Sequence, residues 1–145
     1  MSYENPWLYQ GEIFDPDEKE LASWHGFVYI IICPDDTKYI GRKTFWFMRK
    51  VRGAKRRSKI MSDWKDYYGS HEGIKDEIKK NGTEGFQRII LSLHKTKGEM
   101  NYTEIKEQFQ RGVLETDEYR NYSINGKYFK ELVKKWQSGV KKTDQ

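Results

Sequence analysis

The stretch from Arg42 to Ser62 carries many side chains suited to binding a polyanion. It holds nine basic residues and no acidic one, with Phe45, Trp46 and Phe47 among them. Cationic side chains at this density release counterions from a phosphate backbone, and arginine pairs with phosphate oxygens bidentately. A merely solvated surface would mix the two signs of charge, so we predict contact with a nucleic acid. The candidate nucleic-acid-binding residues are Arg42, Lys43, Lys50, Arg52, Lys55, Arg56, Arg57 and Lys59.

Two tyrosines just upstream can bring their phenol groups together. An apolar, β-branched run over residues 26–32 meets a Pro-Asp-Asp-Thr break at 34–37 and then resumes, which predicts a β-hairpin. A four-residue loop would place Tyr29 and Tyr39 on opposite faces of the sheet. A loop of three or five residues, or a bulge, would place them side by side, with Gly41 leaving open space beside them. We predict the odd register.

Three short segments resemble a known family. Gly26-Phe27-Val28-Tyr29 and Tyr39-Ile40-Gly41 resemble the paired signature of the GIY-YIG nuclease superfamily, and Asp66-Tyr67-Tyr68-Gly69-Ser70 is similar to a stretch of its phage homing-endonuclease, SegE-like branch. The resemblance covers roughly residues 26–126. It implies an α/β (α+β) fold in which helices flank a small, mainly antiparallel three-stranded sheet built on the hairpin.

The resemblance also implies an activity and its requirements. The expected protein is a DNA endonuclease that hydrolyses phosphodiester bonds with one divalent metal ion, Mg²⁺ or Mn²⁺, and no other small-molecule cofactor. It would act on DNA as a monomer or a transient dimer. A single carboxylate completed by waters suits Mg²⁺, which gives up its hydration shell reluctantly.

Particular residues then take roles by their position in the family pattern. Tyr29 would orient or deprotonate a water with the help of Tyr39, although a phenol needs nearby cations to become a useful base at neutral pH. Arg49, in the place of an arginine on the helix that leaves the hairpin, would hold the scissile phosphate. Glu104 would bind the metal.

Two positions in this pattern have more than one candidate. Asn121 stands at a suitable distance after Glu104, and Asn125 is the second candidate because Asn125-Gly126 is also a turn sequence. The family has a variable His or Tyr between its arginine and its glutamate. Tyr68 and His71 both fit this position, and the similarity of the surrounding stretch favours Tyr68.

Other catalytic sites are excluded by spacing. Pro34-Asp35 and the following Asp36-Thr37-Lys38 are contiguous in a turn, so their carboxylates cannot converge on one metal as in a PD-(D/E)xK nuclease. The three histidines and Cys33 lack the pair spacing of zinc ligands. No Walker-type glycine-rich phosphate loop is present.

The remaining segments predict the elements that position these residues. Residues 1–25 form an acidic extension with a short helix, N-capped by Asp15, that docks through Leu21 and Trp24. Ser70 N-caps a helix that ends near Lys80, residues 86–93 form a third strand, and residues 99–110 form a helix. That helix buries a stripe of Tyr102, Ile105 and Phe109. Residues 127–145 form an amphipathic helix packed on the domain, with apolar positions Phe129, Leu132, Val133, Trp136 and Val140.

Composition sets the remaining bounds. A chain of 145 residues with net charge +5 fits one compact domain with an anionic partner. A mean hydropathy of −0.98 excludes a membrane span. No signal-peptide pattern opens the chain, so we expect the cytoplasm, which is the host-cell cytoplasm for a phage-encoded protein. The single cysteine, Cys33, lies in an apolar strand and is predicted to be a buried core residue.

Two functions of another class compete with the nuclease. A non-catalytic nucleic-acid-binding module on a degenerate nuclease fold would keep the basic run and the aromatics. It would have no need for Glu104, Arg49 and both tyrosines together, since a carboxylate beside phosphate hinders simple binding. An interaction protein with a merely basic surface leaves the spacing of these residues unexplained.

Overall fold

The computed structural model describes residues 2–50 and 52–139. In this part of the chain, four α-helices flank a five-stranded sheet and two separate two-stranded ribbons. The strands are β1 (Leu8–Tyr9), β2 (Glu12–Ile13), β3 (Gly26–Ile32), β4 (Lys38–Thr44), β5 (Trp46–Lys50), β6 (Arg57–Met61), β7 (Gln87–His94), β8 (Ser123–Ile124) and β9 (Tyr128–Phe129). The helices are α1 (Glu18–Leu21), α2 (Glu72–Asn81), α3 (Lys97–Gln110) and α4 (Lys130–Gly139).

The main sheet has the strand order β2-β1-β7-β3-β4. Only the β1–β7 pair is parallel, which confirms a mainly antiparallel sheet. The predicted number of three strands was wrong, because the N-terminal segment adds two. Strands of two residues are too short to show a periodicity in the sequence, so no local pattern predicted them.

The predicted hairpin register is confirmed. Tyr29 pairs with Gly41 and Ile31 pairs with Tyr39, and five residues separate the two strands. Both tyrosines therefore lie on one face of the sheet. On the other side of β3, the register with β7 shifts between Val28 and Tyr29. Such a bulge bends and re-aims a strand, here directly beside the first tyrosine.

The sheet has a core on each face. One core contains Trp7, Phe27, Tyr29, Trp64 and Ile74, supplied by the N-terminal segment, the sheet, the short 3₁₀ helix Trp64–Asp66 and α2. The other contains Val28, Ile30, Ile40 and Met100, where α3 packs on the opposite face. Successive residues of β3 therefore alternate between two apolar environments, which explains its unbroken apolar sequence. Cys33 is buried, as predicted.

Residues 2–25 are part of this packing. Trp7 is fully buried, its indole N–H donates to the Trp64 carbonyl at 2.7 Å, and Leu21 is fully buried as expected. The first helix begins later than predicted, because the Asp17 carboxylate, and not that of Asp15, accepts from the Glu20 N–H at 2.8 Å.

Two further boundaries and two helical faces differ from the sequence prediction. His71, and not Ser70, N-caps α2, and α3 begins two residues earlier than predicted, N-capped by Thr96. The predicted buried stripe of α3 was wrong, since Tyr102 is 69% exposed and Phe109 is 53% exposed. In α4, Leu132 and Trp136 are exposed while Val133 packs on the second core. Val140 and the rest of the predicted C-terminal segment lie outside the described residues.

The basic segment forms a hairpin where a helix was expected. Strands β5 and β6 pair antiparallel with Trp46 opposite Met61 and Lys50 opposite Arg57. No helix among the described residues is long and apolar enough to cross a membrane.

Candidate active site

A polar cleft of about 290 Å³ opens beside β4, the edge strand of the main sheet. Because β4 has no strand on its outer side, residues from both faces of the sheet reach the same opening. Side chains from β4, α3, the loop before α2 and the segment around β8 line it. The lining residues are Tyr39, Arg42, Ser70, His71, Glu104, Gln108, Asn121, Tyr122, Ser123, Asn125 and Gly126.

The two tyrosines meet, but only one reaches the cleft. Their ring centroids are 6.4 Å apart. Tyr29 is 1% exposed, and burial raises the pKa of its phenol well above the usual value. Tyr39 lines the cleft and its hydroxyl lies 3.1 Å from the Ser70 Oγ. Burial raises the pKa of Tyr39 as well, while the Ser70 hydrogen bond opposes that rise.

Two glycines make room for these rings. A Cβ at Gly41 would lie 2.6 Å from the Tyr29 Cζ, so any side chain there would displace the ring. Gly69 has φ +92°, and a Cβ there would lie 3.2 Å from the Tyr29 hydroxyl and 3.3 Å from the Tyr39 ring. Close approach requires glycine at position 41, whereas the positive φ favours it at position 69, where the contacts are also tight.

Glu104 enters the cleft from α3 and faces Arg42. The Arg42 Nη1 lies 2.6 Å from the Glu104 Oε1. Glu104 is 9% exposed, and burial raises its pKa, while the charge and hydrogen bond of Arg42 oppose that rise. The buried face of α3 consists of Met100, Glu104 and Gln108, spaced by one helical turn. The carboxylate therefore lies on the inward face of α3. This face differs from the predicted stripe of Tyr102, Ile105 and Phe109.

Asn121 completes the edge of β4. Its Oδ1 accepts the Ile40 N–H at 3.0 Å and its Nδ2 donates to the Ile40 carbonyl at 2.8 Å. One side-chain amide thus takes the place of a neighbouring strand at this position, which holds Tyr39 and Gly41 on either side. Asn125 also lines the cleft, and its φ of +55° next to Gly126 shows that it forms the turn between β8 and β9.

Of the two candidates for the variable position, the structure brings His71 to the cleft. Its ring centroid is 5.7 Å from that of Tyr39. Tyr68 points elsewhere, with its ring 4.2 Å from the Arg88 guanidinium and 6.2 Å from Phe86. The His71 Nδ1 accepts the Ile74 N–H at 3.2 Å, so neutral His71 carries its proton on Nε2. Burial lowers the pKa of His71, and the nearby Arg120 adds to this effect.

Arg49 does not lie with these residues. It stands on strand β5, exposed, with its guanidinium 5.5 Å from the Phe47 ring centroid. The expectation of a helix at this position was wrong, and the guanidinium in the cleft is that of Arg42. Lys43 is also separate from the basic hairpin, since its Nζ lies 2.6 Å from the Asp63 Oδ1 and 4.2 Å from the Tyr67 ring centroid.

The cleft has oxygen donors suited to a divalent metal. Glu104 supplies a carboxylate, and Gln108 lies one turn further along α3. The Gln108 Oε1 is buried and lacks a hydrogen-bond partner within the described residues, which is costly unless something binds it. Hard cations such as Mg²⁺ take carboxylate and amide oxygens. Within residues 2–50 and 52–139, three or more acidic, histidine or cysteine side chains do not cluster as they would in an all-protein metal cage.

Sequence reasoning missed part of this site. Gln108 and Tyr122 were not singled out, Ser70 was predicted only as a helix N-cap, and Arg42 was assigned only to nucleic-acid binding. A signal for Gln108 was available in its i+4 spacing from Glu104, which predicts a shared helix face. Ser70 and Tyr122 reach the cleft from loops. Loop sequences have no periodicity from which the direction of a side chain can be predicted.

Comparison with known proteins identifies one family. The family model described as "Putative endonuclease segE, GIY-YIG domain" matches residues 7–133. No curated protein and no solved structure matches the chain. The matched span contains the whole main sheet and the cleft.

Proposed function

Because this chain belongs to the GIY-YIG endonuclease family of the SegE type, we propose that it hydrolyses phosphodiester bonds of DNA in the cleft beside Glu104, with a divalent metal ion. The observation that carries the proposal is the meeting of Glu104, Arg42, Tyr39 and His71 in one polar cleft. Nuclease families of this fold generally use divalent metals. The enzyme is proposed to act as a monomer or a transient dimer on DNA.

Arg42 is proposed to bind the scissile phosphate. Its guanidinium already faces the cleft and presents a fork that matches phosphate oxygens. Arg42 takes the role that the family pattern gave to Arg49. Because Arg49 lies on the exposed hairpin, it is grouped with the other residues proposed to contact DNA. In the absence of substrate, the exposed Arg42 guanidinium pairs with the buried Glu104 carboxylate and offsets the cost of burying that charge. Phosphate at Arg42 and a cation at Glu104 would replace that ion pair by two others.

Glu104 would hold the metal, with the Gln108 Oε1 as a further oxygen within the same cleft. A divalent ion bound there supplies positive charge to the phosphoryl and leaving oxygens. The chain contributes by fixing these two side chains on one face of α3, which also packs on the sheet. Waters would fill the remaining positions around the cation.

Tyr39 is proposed to orient the attacking water through its hydroxyl, with the Ser70 Oγ setting the direction of that hydroxyl. Tyr29 is too deeply buried to contact a water in the cleft, so it would act by holding the Tyr39 ring. His71 would donate its Nε2–H to a phosphate oxygen, because its Nδ1 is occupied by the Ile74 N–H. Asn121 would act through β4, by fixing the backbone that carries Tyr39.

Replacement of Glu104 tests the proposal directly. Glu104→Gln keeps the size and hydrogen-bonding capacity of the side chain but removes the charge that holds a cation. We expect nicking of supercoiled plasmid in Mg²⁺ or Mn²⁺ to fall by at least about 100-fold, while DNA binding stays nearly unchanged. The matched control is Glu107→Gln, since Glu107 lies on the same helix and pairs with Arg111 on the surface.

The outcomes separate the nuclease from a non-catalytic DNA-binding module. Cleavage by the wild-type chain that depends on both metal and Glu104 supports the proposal. Full cleavage by the Glu104→Gln protein would show that this cleft is not the active site. Metal-independent binding with no cleavage by the wild type would favour the binding module instead.

A further inference from the structure

The hairpin formed by β5 and β6 has no role in the chemistry above, yet it carries the densest charge in the molecule. It joins to the domain beside Phe45 and presents nearly all of its side chains to solvent. Five residue pairs connect its two strands, from Trp46 with Met61 to Lys50 with Arg57. Residues 52–56 follow at its tip and add Arg52, Lys55 and Arg56.

The register divides the hairpin into two different faces. Residues opposite each other point to the same side and successive residues alternate. One face therefore holds Phe47, Arg49, Ser58 and Ile60. The other face, which we call the cationic face, holds Trp46, Met48, Lys50, Arg57, Lys59 and Met61. Three of the four charges in the paired strands are on the cationic face, together with the exposed Met48.

The base of the hairpin is fastened to the domain. The Trp46 indole N–H donates to the Trp24 carbonyl at 3.1 Å. The Ser62 N–H donates to the Phe45 carbonyl at 2.8 Å, and the Ser62 hydroxyl donates to the Thr44 carbonyl at 2.6 Å. Phe45 itself is fully buried. These contacts give the hairpin a defined direction relative to the sheet, so a ligand bound along it has a defined position relative to β4.

The dimensions of the hairpin match the major groove of B-form DNA. At about 3.3 Å per residue, its five-residue strands extend about 16 Å, which exceeds the groove depth of about 8.5 Å. The groove is about 12 Å wide and admits a two-stranded antiparallel ribbon. The A-form major groove of double-stranded RNA is too narrow and deep to be read in this way. A single strand offers no groove.

We propose that the β5–β6 hairpin inserts into the major groove of double-stranded DNA with its cationic face toward the base edges. Lys50, Arg57 and Lys59 then meet base acceptors and the flanking phosphates, and Met48 supplies apolar contact for a thymine methyl. The tip cations contact phosphates across the groove. The inference rests on the proposed function only in taking DNA as the substrate, and it adds the duplex form and the element that reads it.

Binding measurements on a cleavage-deficient background test this proposal. The full chain carrying Glu104→Gln is compared with the same chain carrying Lys50→Gln, Arg57→Gln and Lys59→Gln in addition. Fluorescence anisotropy gives the Kd for a labelled DNA duplex, for the RNA duplex of the same sequence and for the single DNA strand, over a series of salt concentrations. The matched control replaces three exposed lysines elsewhere, Lys19, Lys79 and Lys80, by glutamine.

We expect the background protein to bind the DNA duplex at least about tenfold more tightly than the RNA duplex. The hairpin variant should lose that preference, and the slope of log K against log salt should fall by about 2 to 3 units, close to one per lost contact. The control variant should keep the preference. A DNA duplex with bulky substituents at the pyrimidine 5-position, which lies in the major groove, should bind as weakly as the RNA duplex.

Equal binding of DNA and RNA duplexes by the background protein, or an equal loss in the hairpin and control variants, would overturn the proposal. Unchanged affinity for the 5-substituted duplex would also overturn it, since contact would then be to the phosphates alone. These outcomes are distinct from failure of the proposed function. A chain that shows hairpin-dependent preference for duplex DNA but never cleaves it would refute the nuclease and leave this inference standing.

Discussion

Glu104 and Arg42 show why single residues in this cleft have to be considered in pairs. A carboxylate that is 9% exposed is rare without a partner, and here Arg42 supplies one at 2.6 Å. The pair satisfies both charges in the free protein. It also leaves both groups facing the same opening, so substrate and metal can each take one partner without exposing a buried charge.

Substitution of Gly41 should disturb the tyrosine pair. Gly41→Ala places a methyl group 2.6 Å from the Tyr29 Cζ, so the buried ring has to move. We expect a loss of about 1–3 kcal/mol in the free energy of unfolding, measured with urea, and a large loss of cleavage. Gly98→Ala is the control, because nothing lies within 4 Å of a Cβ there and alanine favours helix α3. Equal stability of both variants would contradict the close approach at Gly41.

His71 should make the stability of the protein depend on pH. Its Nδ1 caps α2 by accepting the Ile74 N–H, and its pKa is lowered by burial and by Arg120, with Lys130 adding to the effect and Glu77 and Glu72 opposing it. The neutral form is therefore favoured in the folded state. Its stabilising effect is complete above the unfolded pKa of about 6.5 and is lost as the pH falls toward the lower folded value.

His71→Asn keeps an N-cap acceptor but does not titrate. Between pH 7.5 and pH 5.5, the thermal midpoint of the wild type should therefore fall more than that of the variant. The comparison of the two proteins cancels the titration of groups that they share. A parallel decrease in both proteins would mean that His71 is not the group responsible.

At the scale of elements, the outer edge of β4 is held at Lys38 by the backbone of residues 118–120 and at Ile40 by the Asn121 side chain. Edge strands expose unpaired N–H and C=O groups, and Asn121 satisfies both of these groups on Ile40. The Gln108 Nε2 also reaches the Ile40 carbonyl at 3.3 Å, so only the N–H depends on Asn121 alone among the described contacts. Helix α3 and the segment after it therefore hold the same strand from two directions.

Asn121→Ala should leave the Ile40 N–H buried and unpaired. We expect a loss of about 1–3 kcal/mol in the free energy of unfolding. Faster hydrogen exchange at the amide of Ile40 would locate the change on β4. Asn81→Ala, at the exposed end of α2, is the matched control and should change stability by less than about 0.5 kcal/mol. Unaltered exchange at Ile40 would show that the amide pairing is not formed in solution.

At the scale of the whole molecule, Arg88 ties three parts of the chain together. It is 1% exposed, and it donates to the carbonyls of Glu4, Asn5 and Tyr67 at distances of 2.5–3.2 Å. The guanidinium also lies 4.2 Å from the Tyr68 ring centroid. It therefore fixes the N-terminal segment against β7 and holds the loop that leads to Ser70 and His71. Burial lowers its pKa, which shows the energetic cost of placing a cation there.

Arg88→Met retains much of the volume but leaves three carbonyl groups without their donor. We expect a loss of about 2–4 kcal/mol in the free energy of unfolding. The cost of leaving buried carbonyl groups unpaired exceeds the free energy gained by removing a buried charge. Arg111→Met is the control, since the half-buried Arg111 pairs with the Glu107 carboxylate and reaches the Tyr119 hydroxyl at 3.4 Å but has no carbonyl partner among the described contacts. An equal loss in the two variants would show that the N-terminal segment does not depend on Arg88.

The sequence by itself determined the parts of this protein that depend on local periodicity. The apolar runs predicted the hairpin of β3 and β4, the odd register expected for it is confirmed, and the absence of acidic residues marked the basic segment. The family pattern singled out Glu104 and Asn121, and both residues line the cleft. Each of these inferences uses residues close in sequence or a spacing that survives insertions.

Only the tertiary structure decided which arginine and which aromatic residue meet Glu104. Arg42 and Glu104 are 62 residues apart, and Ile40 and Asn121 are 81 apart. A basic run cannot indicate which of its members faces inward, since that depends on whether the segment folds as a helix or a hairpin. The choice of His71 over Tyr68 depended in the same way on Arg88 of strand β7, whose guanidinium packs against the Tyr68 ring. These outcomes follow from packing between distant segments, and no local pattern carries that information.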